Sequence, residues 1–471
     1  MSNLTFLKKF ESSFLNHIPP HTRILIAFSG GPDSTALVYG VKKLIDQGKW
    51  QGKVALGHFF HPYQRDATPD KEQLKLVEEH SKILQWPLFI GKKDVLSIHQ
   101  EKKGSLEEIG RKERYLYLAK VLEKWKANLL LTGHHFEDQV ETVLQRLFRG
   151  SGIHGAGGIR MISPLPFSNE DCHQKSFQVF RPMLEIHRHE ILEFLEKERL
   201  PFFQDYANTN LAFFRNQVRH KILPFLSQFG DHQLGSHLFH LSQQAQWWED
   251  FLQKELAKYS SLLWQDSFGT WWLDNQVLQL PRALGSEMVR KACRKLGILP
   301  SFLHVKSILD GEKKGSLPQN YSWSQEKQGI GFFLNQSPPS LNMELPLPGE
   351  AAIHQDILVK SQLLLPSFFQ KKLEAFPQTF YLDRQSLAEP IVIRYRKKGD
   401  LFHPLGSKGK NKLKKIFINK KIPFWIRDRL LIGEDSSGRI VFVEGVGIHH
   451  HCRIQESTKE VIKIEIHRKK K

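Results

Sequence analysis

The chain has 471 residues, 40% of them apolar, enough to bury cores in about two to four domains. It has no apolar run of the roughly 18 residues a membrane span needs, and MSNLTFLKKFESS lacks the apolar stretch of a signal peptide, so a membrane partner is not expected. Three scattered cysteines, Cys172, Cys293 and Cys452, argue against a disulfide framework and for a reducing, cytoplasmic setting, while a net charge of +19 predicts a polyanionic partner, most simply nucleic acid.

Taken in chain order, apolar runs at 24–28, 54–60, 87–90 and 129–132 read as strands buried on both faces. Helical spacing lies between them at 34–47, 70–84, 105–124 and 137–148. Such alternation predicts a parallel α/β sheet, whose ligands bind at the carboxyl ends of the strands. From about Arg181 the pattern becomes helical, at 186–198, 216–228, 232–258 and 283–296. A Pro/Ser stretch at 336–340 marks a linker. Beyond it, 353–365, 379–382, 391–396, 430–432, 440–446 and 461–466 read as strands, and the basic tail 467–471 as disordered. The expected domains are therefore 1–215, 216–336 and 341–467. No metal is expected at the histidine run 449–451, because no second ligand group stands out.

The first strand runs into Ser29-Gly30-Gly31-Pro32-Asp33-Ser34-Thr35, a small-residue loop that opens a helix. Free backbone N–H groups at a helix N-terminus bind anions, and Pro32 suits the first turn. Gly30 and Gly31 allow close approach of a phosphate, and Ser29, Ser34 and Thr35 offer hydroxyls. Asp33 would repel phosphates unless it holds a divalent cation against them. No lysine follows the glycines, which excludes the P-loop kinase pattern.

The fourth strand ends at a second cluster, His134-His135-Phe136-Glu137-Asp138, followed by Glu141. At about 100° per residue His134, Asp138, Glu141 and Gln145 share one stripe, apart from the apolar stripe of Val140, Val143, Leu144 and Leu147. A carboxylate pair there suits Mg²⁺. Arg149 opens a Gly-rich loop through Gly158 that either closes over a ligand or turns the chain. Ser105 and Glu108 read as a helix cap, with Glu107, Arg111 and Tyr115 at i,i+4 spacing. Arg215 and Arg219 share a helix face suited to phosphate. Residues 394–421 carry eleven Lys/Arg against one acid, Asp400, and read as an RNA-backbone contact. Most of the nearby aromatics Phe402, Phe417, Phe424 and Trp425 are expected in a core.

The loop Ser29–Ser34 resembles the S-G-G-x-D-S motif of the PP-loop ATP pyrophosphatases. With L-E-E-x-G-R-x-x-R-Y at 106–115, G-H-H-x-E-D-Q-x-E-T at 133–142, R-G-S-G at 149–152, Arg181-Pro182-Met183-Leu184 and Arg215-Asn216-x-x-Arg219-His220, the chain resembles the tRNA(Ile)-lysidine synthetase family. Arg394-x-Arg396-x-x-Gly399-Asp400-x-Phe402-x-Pro404, Lys412-Leu413-Lys414-Lys415 and Lys421-Ile422-Pro423-x-x-x-Arg427 extend the match to the C-terminal part. The resemblance implies a Rossmann-like parallel-sheet PP-loop domain, a helical middle domain and a β-rich α+β C-terminal domain. It implies an ATP-dependent ligase, using Mg²⁺, that adenylates the wobble cytidine of the CAU-anticodon isoleucine tRNA and lets free lysine displace AMP; it also admits a homodimer. By the same resemblance, Ser29 to Thr35, His134 and His135 bind ATP. Asp33 and Asp138 hold metal, and Asp138 or Glu141 serves as metal ligand or base. Arg111 and Arg215 stabilise phosphate charge or hold tRNA, and Arg149, Arg215, Arg219, Arg394, Arg396, Lys412, Lys414, Lys415 and Arg427 contact tRNA.

Two departures stand out. Phe60 replaces the Asn of the family's His-x-Asn-His-Gly-Leu-Arg segment, with Arg65 in place of its Arg after a one-residue shift, and Glu137 replaces the first Asp of His-His-x-Asp-Asp. Among rival readings, a thiolase wants cysteines the chain lacks, and a small-molecule synthetase has no use for the basic C-terminal half. A non-catalytic RNA-binding protein leaves the Ser29–Ser34 loop unexplained.

Overall fold

In a computed structural model, which describes residues 6–60, 68–101, 105–167, 177–204, 214–229, 233–266, 268–336, 338, 340–353, 357–365, 378–407 and 409–468, two units are compact on their own, Met1–Phe251 and Leu252–Lys471. The N-terminal unit begins with a helix that the strand-by-strand reading passed over. Phe6, Phe10 and Phe14 recur every four residues and line the buried face of α1 (Phe6–His17). Then come β1 (Arg23–Ala27), α2 (Pro32–Asp46), β2 (Lys53–Phe60), α3 (Thr68–Leu84), β3 (Leu88–Lys92), α4 (Val95–Glu101), α5 (Leu106–Trp125), β4 (Leu129–Leu131) and α6 (Phe136–Phe148). The turn α7 (Ile153–Ala156), β5 (Ile162–Pro164), β6 (Gln178–Phe180) and α8 (Arg188–Lys197) complete the sheet and its cover.

The sheet order is β3-β2-β1-β4-β6-β5, parallel except for β5. Strand residues alternate between its two faces. Ile24, Ile26 and Leu56 pack with α1, α2, α3 and α8, while Leu25, Ala55 and Leu130 pack with α5. The order runs outward in opposite senses from β1 and β4, so their adjacent carboxyl ends form the switch point at which ligands enter such sheets. Both chemical clusters read from the sequence begin there.

The helix expected at 216–228 runs unbroken over 214–226 but changes its hydrogen-bond pattern on the way. It comprises α9 (Phe214–Gln217), one π-helical turn (Val218–Ile222) and α10 (Leu223–Leu226). With α11 (Leu234–Ala257) it covers the apolar stripe of α6, where Val218 and Leu238 bury Val140, Val143 and Leu144.

In the second unit the helix expected at 283–296 is α12 (Arg282–Lys295), and a further helix, α13 (Phe302–Leu309), follows it. They are accompanied by an antiparallel sheet that the reading of a purely helical middle domain did not anticipate. Its strands are β7 (Leu263–Gln265), β8 (Trp271–Leu273), β9 (Lys314–Leu317), β10 (Tyr321–Glu326) and β11 (Gly329–Leu334), in the order β7-β8-β11-β10-β9. Trp272, Trp323 and Phe332 fill its core.

The β-rich remainder holds β12 (Asn342–Leu345), β13 (Gly349–Ile353), β14 (Ile357–Leu364), β15 (Thr379–Asp383), β16 (Ile391–Arg394), β17 (Leu401–Phe402), β18 (Asn411–Lys412), α14 (Leu413–Asn419), α15 (Phe424–Arg427), β19 (Ile432–Asp435), β20 (Ile440–Val443), β21 (Gly447–Ile448) and β22 (Val461–Arg468). Two sheets, β12-β16-β19-β20-β21 and β13-β14-β22-β15, share a core of Ile393, Val359, Phe380, Phe442 and Ile464. The tail reading is corrected at its start. His467 and Arg468 belong to β22, and Arg468 pairs with Glu444, which is fully buried. Lys469 to Lys471, Arg65 and Cys172 lie outside the described residues. Cys293 and Cys452 are free and buried. Among the described residues no helix is long and apolar enough to cross a membrane.

Candidate active site

The loop after β1 is shaped by its own hydroxyls. Ser34 Oγ donates to the Gly31 carbonyl at 3.0 Å and lies 3.0 Å from Ser29 Oγ, and the Ser29 and Gly31 amides donate into this hydroxyl pair. Gly30 takes φ +79°, and a Cβ there would meet Val77 of α3 at 3.0 Å, so only glycine fits. Gln73 of α3 donates to the Ser29 carbonyl at 2.7 Å. Gly31 caps α2, with Pro32 in its first turn and Asp33 directly after. The arrangement aims the N-terminus of α2 at an anion. Thr35 is a correction: it is fully buried and its hydroxyl faces the Gly30 carbonyl, so it holds the loop from within and does not present itself to a ligand. Ser34 is likewise spent on the loop.

The second limb starts where β4 ends. Gly133 passes so close to the loop that a Cβ would stand 3.0 Å from the Asp33 backbone. This contact is what brings the two clusters together. His135 is buried, and its Nε2 lies 3.7 Å from Asp33 and 3.6 Å from Asp138. Its Nδ1 is 2.9 Å from Glu137 Oε2, and as a carboxylate only accepts, Nδ1 carries a proton. Burial pulls the ring's pKa down, but Asp138, Glu137 and Asp33 outweigh burial and hold it above the ordinary imidazole value. His135 thus keeps a proton on Nδ1 and sits among three carboxylates that favour its charged form. Glu137, the departure from the family pattern, is the residue that orients it. Glu137 also accepts from the Arg188 amide at 3.0 Å and faces His187 at 3.3 Å, and despite partial burial its carboxyl is held well below the usual range.

His134 behaves oppositely. Burial pushes its pKa down to about 3, and the charges of Arg181, Arg215 and Arg111 add to that shift, against a pull from Asp138. It is neutral at physiological pH and bonds Thr132 Oγ1 at 2.8 Å. Arg111 lies over the Tyr115 ring at 5.2 Å, so the expected i,i+4 pair is a cation–π contact.

Asp138 accepts from the His135 amide and from Arg215. Burial would raise its pKa, but His135, Arg215 and His134 hold it well below the ordinary value. Glu141 is a correction. It is 1% exposed and its carboxylate is wrapped by Arg215 Nε at 2.9 Å and by Arg219. That geometry makes it the anchor of two arginines, not a base or metal ligand.

Asp33 differs from both. Burial raises its pKa and the nearby Asp138 charge raises it further, against His135, Arg188 and Arg219. Its Oδ1 is buried, lies 3.7 Å from His135 Nε2 and has no hydrogen-bond partner among the described residues. A carboxylate oxygen that accepts no hydrogen bond, beside a second carboxylate, fits a hard divalent cation, which takes one or two carboxylates and completes its shell with phosphate oxygens and water. Among the described residues no group of three or more metal-ligating side chains forms a closed cage. Sequence reasoning missed Gln73, His187 and Arg188, whose types are unremarkable and whose partners are remote in the chain. The Gly-rich loop from Arg149 turns the chain: Arg146 donates to the Gly158 carbonyl and Gln246 to that of Gly157. Arg149 itself is exposed.

The basic C-terminal run divides into inward and outward parts. Arg394 is a correction: it is 3% exposed and bonds Asp400 bidentately at 3.0 Å, with Glu434 as a second partner. It braces the turn before β17 and is withdrawn from the RNA contacts. Arg396 pairs with Asp428 and Arg427 donates to the Ile422 carbonyl, both half-buried. Lys412, Lys414 and Lys415 are exposed on α14 and at its start, while Leu413, Ile416 and Phe417 of the same turns are buried. Phe402 and Phe417 are core residues, and Phe424 is half exposed.

Residues 3–226 match the family model of a PP-loop domain, and residues 391–466 that of the TilS substrate C-terminal domain. Curated relatives include the tRNA(Ile)-lysidine synthase of Clostridium acetobutylicum, 27% identical over 96% of both chains. That of Persephonella marina is 27% identical over 97% of this chain and 99% of its own. The Symbiobacterium thermophilum protein of the same name is 29% identical over 96% and 95%.

Proposed function

The chain belongs to the tRNA(Ile)-lysidine synthase family, and from that premise we infer that it joins lysine to the wobble cytidine of the CAU-anticodon isoleucine tRNA. The cytidine carbonyl oxygen attacks the α-phosphorus of ATP and pyrophosphate leaves. The lysine ε-amine then attacks the activated carbon, AMP leaves with the oxygen, and the amine loses its proton. Reading shifts from AUG to AUA. AMP is a good leaving group where the bare carbonyl oxygen is not.

In this reading the Ser29–Ser34 loop and the N-terminus of α2 receive the phosphates. His135, whose charged form its carboxylate neighbours favour, and Arg188 near Asp33 would offset their charge. Asp33 and Asp138 would hold Mg²⁺, which when bound neutralises phosphate charge. Asp138, held ionised, carries charge and is a poor proton acceptor. Arg111 and Arg215, whose charges act on His134, would serve the departing phosphates or the tRNA backbone. Residues 1–215 would supply catalysis and, through Arg149, part of the tRNA contact, and 216–336 and 341–467 the rest, through Arg219, Arg396, Arg427 and the lysines of α14. A cytoplasmic location follows from a tRNA substrate.

The observation that carries the reading is the meeting of the Asp33 loop and the His135–Asp138 helix start at the β1/β4 switch point, where Asp33 Oδ1 faces His135 Nε2 at 3.7 Å and accepts no hydrogen bond among the described residues. The test is pyrophosphate release from ATP with Mg²⁺ and lysine, using the isoleucine tRNA and, separately, the initiator methionine tRNA with the same anticodon. Release with the isoleucine tRNA alone, lysine in the RNA, and a loss of at least about 100-fold in a folded Asp33→Asn variant are expected. Release that ignores tRNA sinks the reading.

A further inference from the structure

The glycine that lets the loop after β1 turn also leaves one of its peptides free to face either way. In a planar trans peptide the carbonyl and the following N–H point in opposite directions. The Ser29–Gly30 peptide therefore offers an anion either the Gly30 amide, which attracts it, or the Ser29 carbonyl oxygen, which repels it. Flipping the peptide reverses the sign of φ at Gly30. A residue with a Cβ resists one of the two signs, but glycine takes both about equally. Gly30 stands at φ +79° with no local preference to hold it there. The choice must come from outside the loop.

Two contacts make it. A carbonyl oxygen only accepts, so the Gln73 amide donates through Nε2 to the Ser29 carbonyl, at 2.7 Å and from 44 residues away. The next carbonyl along, that of Gly30, accepts from the Phe203 amide at 2.8 Å. Val77, one turn further along α3 from Gln73, closes the space beside Gly30. The first two carbonyls of the loop are thus both taken by partners beyond it. The Phe203 bond is backbone to backbone and survives any substitution. The Gln73 bond hangs on one half-buried side chain.

We propose that Gln73 is a positioning residue for the phosphate loop. By holding the Ser29 carbonyl to α3 it keeps the Gly30 amide turned toward the phosphates of ATP, and it touches no ligand itself. This rests on the reading that the Ser29–Ser34 loop receives those phosphates.

Pyrophosphate release is followed with isoleucine tRNA, lysine and Mg²⁺ held fixed while ATP is varied, and inorganic pyrophosphate and adenosine are each tested as competitors of ATP. The enzymes are wild type, Gln73→Met, which keeps the length and loses the donor, and Gln73→Glu, which keeps the shape and at neutral pH only accepts. Gln73→Met should raise the KM for ATP and the inhibition constant of pyrophosphate by a similar factor, roughly tenfold. It should leave kcat and the inhibition constant of adenosine within about twofold of wild type. Gln73→Glu should lose at least as much, because its carboxylate repels the Ser29 carbonyl. An unchanged KM for ATP in both variants overturns the proposal. So does a loss shared equally by pyrophosphate and adenosine, which is what a displaced α3 alone would give. If Gln73→Met fails to fold, Gln73→Glu decides by the same readings. No release by wild type sinks the ATP reading and the proposal with it, and differs from each of the other outcomes.

Discussion

Three carboxylates within one turn's reach of His135 have been given different work by their partners. Asp33 keeps an oxygen that accepts no hydrogen bond among the described residues and a raised pKa, Asp138 is held ionised between an amide and Arg215, and Glu137 is spent on orienting the imidazole. The Glu137–His135 bond links stability to pH. Glu137 titrates below its ordinary 4.5 and His135 above its ordinary 6.5. The stability the pair contributes is complete between those ordinary values. It is lost as pH falls through Glu137's lowered pKa, and as pH rises through His135's raised one. Glu137→Gln should therefore cost about 1–2 kcal/mol near pH 6, discounted for Glu137's partial exposure, and the gap in Tm to wild type should narrow at alkaline pH. Thermal melts across pH check this; a gap that widens with rising pH would be the wrong sign. The sequence made Asp33 and Asp138 visible through their motifs. It did not show that Glu141 is anchored by arginines 74 and 78 residues away, because no local pattern encodes a tertiary pair.

At the scale of elements, α14 separates two kinds of basic residue that look alike in sequence. Its lysines are solvated and Arg394 nearby is not. Arg394→Ala leaves Asp400 and Glu434 without their shared cation, a loss expected to cost about 3–5 kcal/mol. Lys414→Ala should stay within about 0.5 kcal/mol of wild type. Urea unfolding of the two variants distinguishes them, and equal stabilities would contradict the assignment. The parallel strands were legible because Ile24–Ile26 and Leu129–Leu131 are apolar without interruption, as doubly covered strands must be. The sheet β7–β11 was not legible. Strands such as Lys314–Leu317 and Trp271–Leu273 are three or four residues long, too short for alternation to register, and they take their stability from the tryptophans they bury. The phenylalanine stripe of α1 has helical spacing in the sequence too, at Phe6, Phe10 and Phe14.

For the whole molecule, a net charge of +19 makes association with a polyanion a matter of released counterions. Each phosphate contact removed should lower the slope of log affinity against log salt by about 0.7–0.9. Replacing Lys412, Lys414 and Lys415 together by alanine should lower it by about 2–3 in a tRNA-binding titration. An unchanged slope would take α14 out of the contact. One further consequence lies in the order of synthesis. In the sheet β13-β14-β22-β15, the strand made last lies between two strands made well before it. Until residues 461–468 have left the ribosome, β14 and β15 each carry an open edge facing an empty lane. This part of the chain closes only after translation has passed it, and a product cut short before β22 displays two strand edges ready to pair with a neighbour.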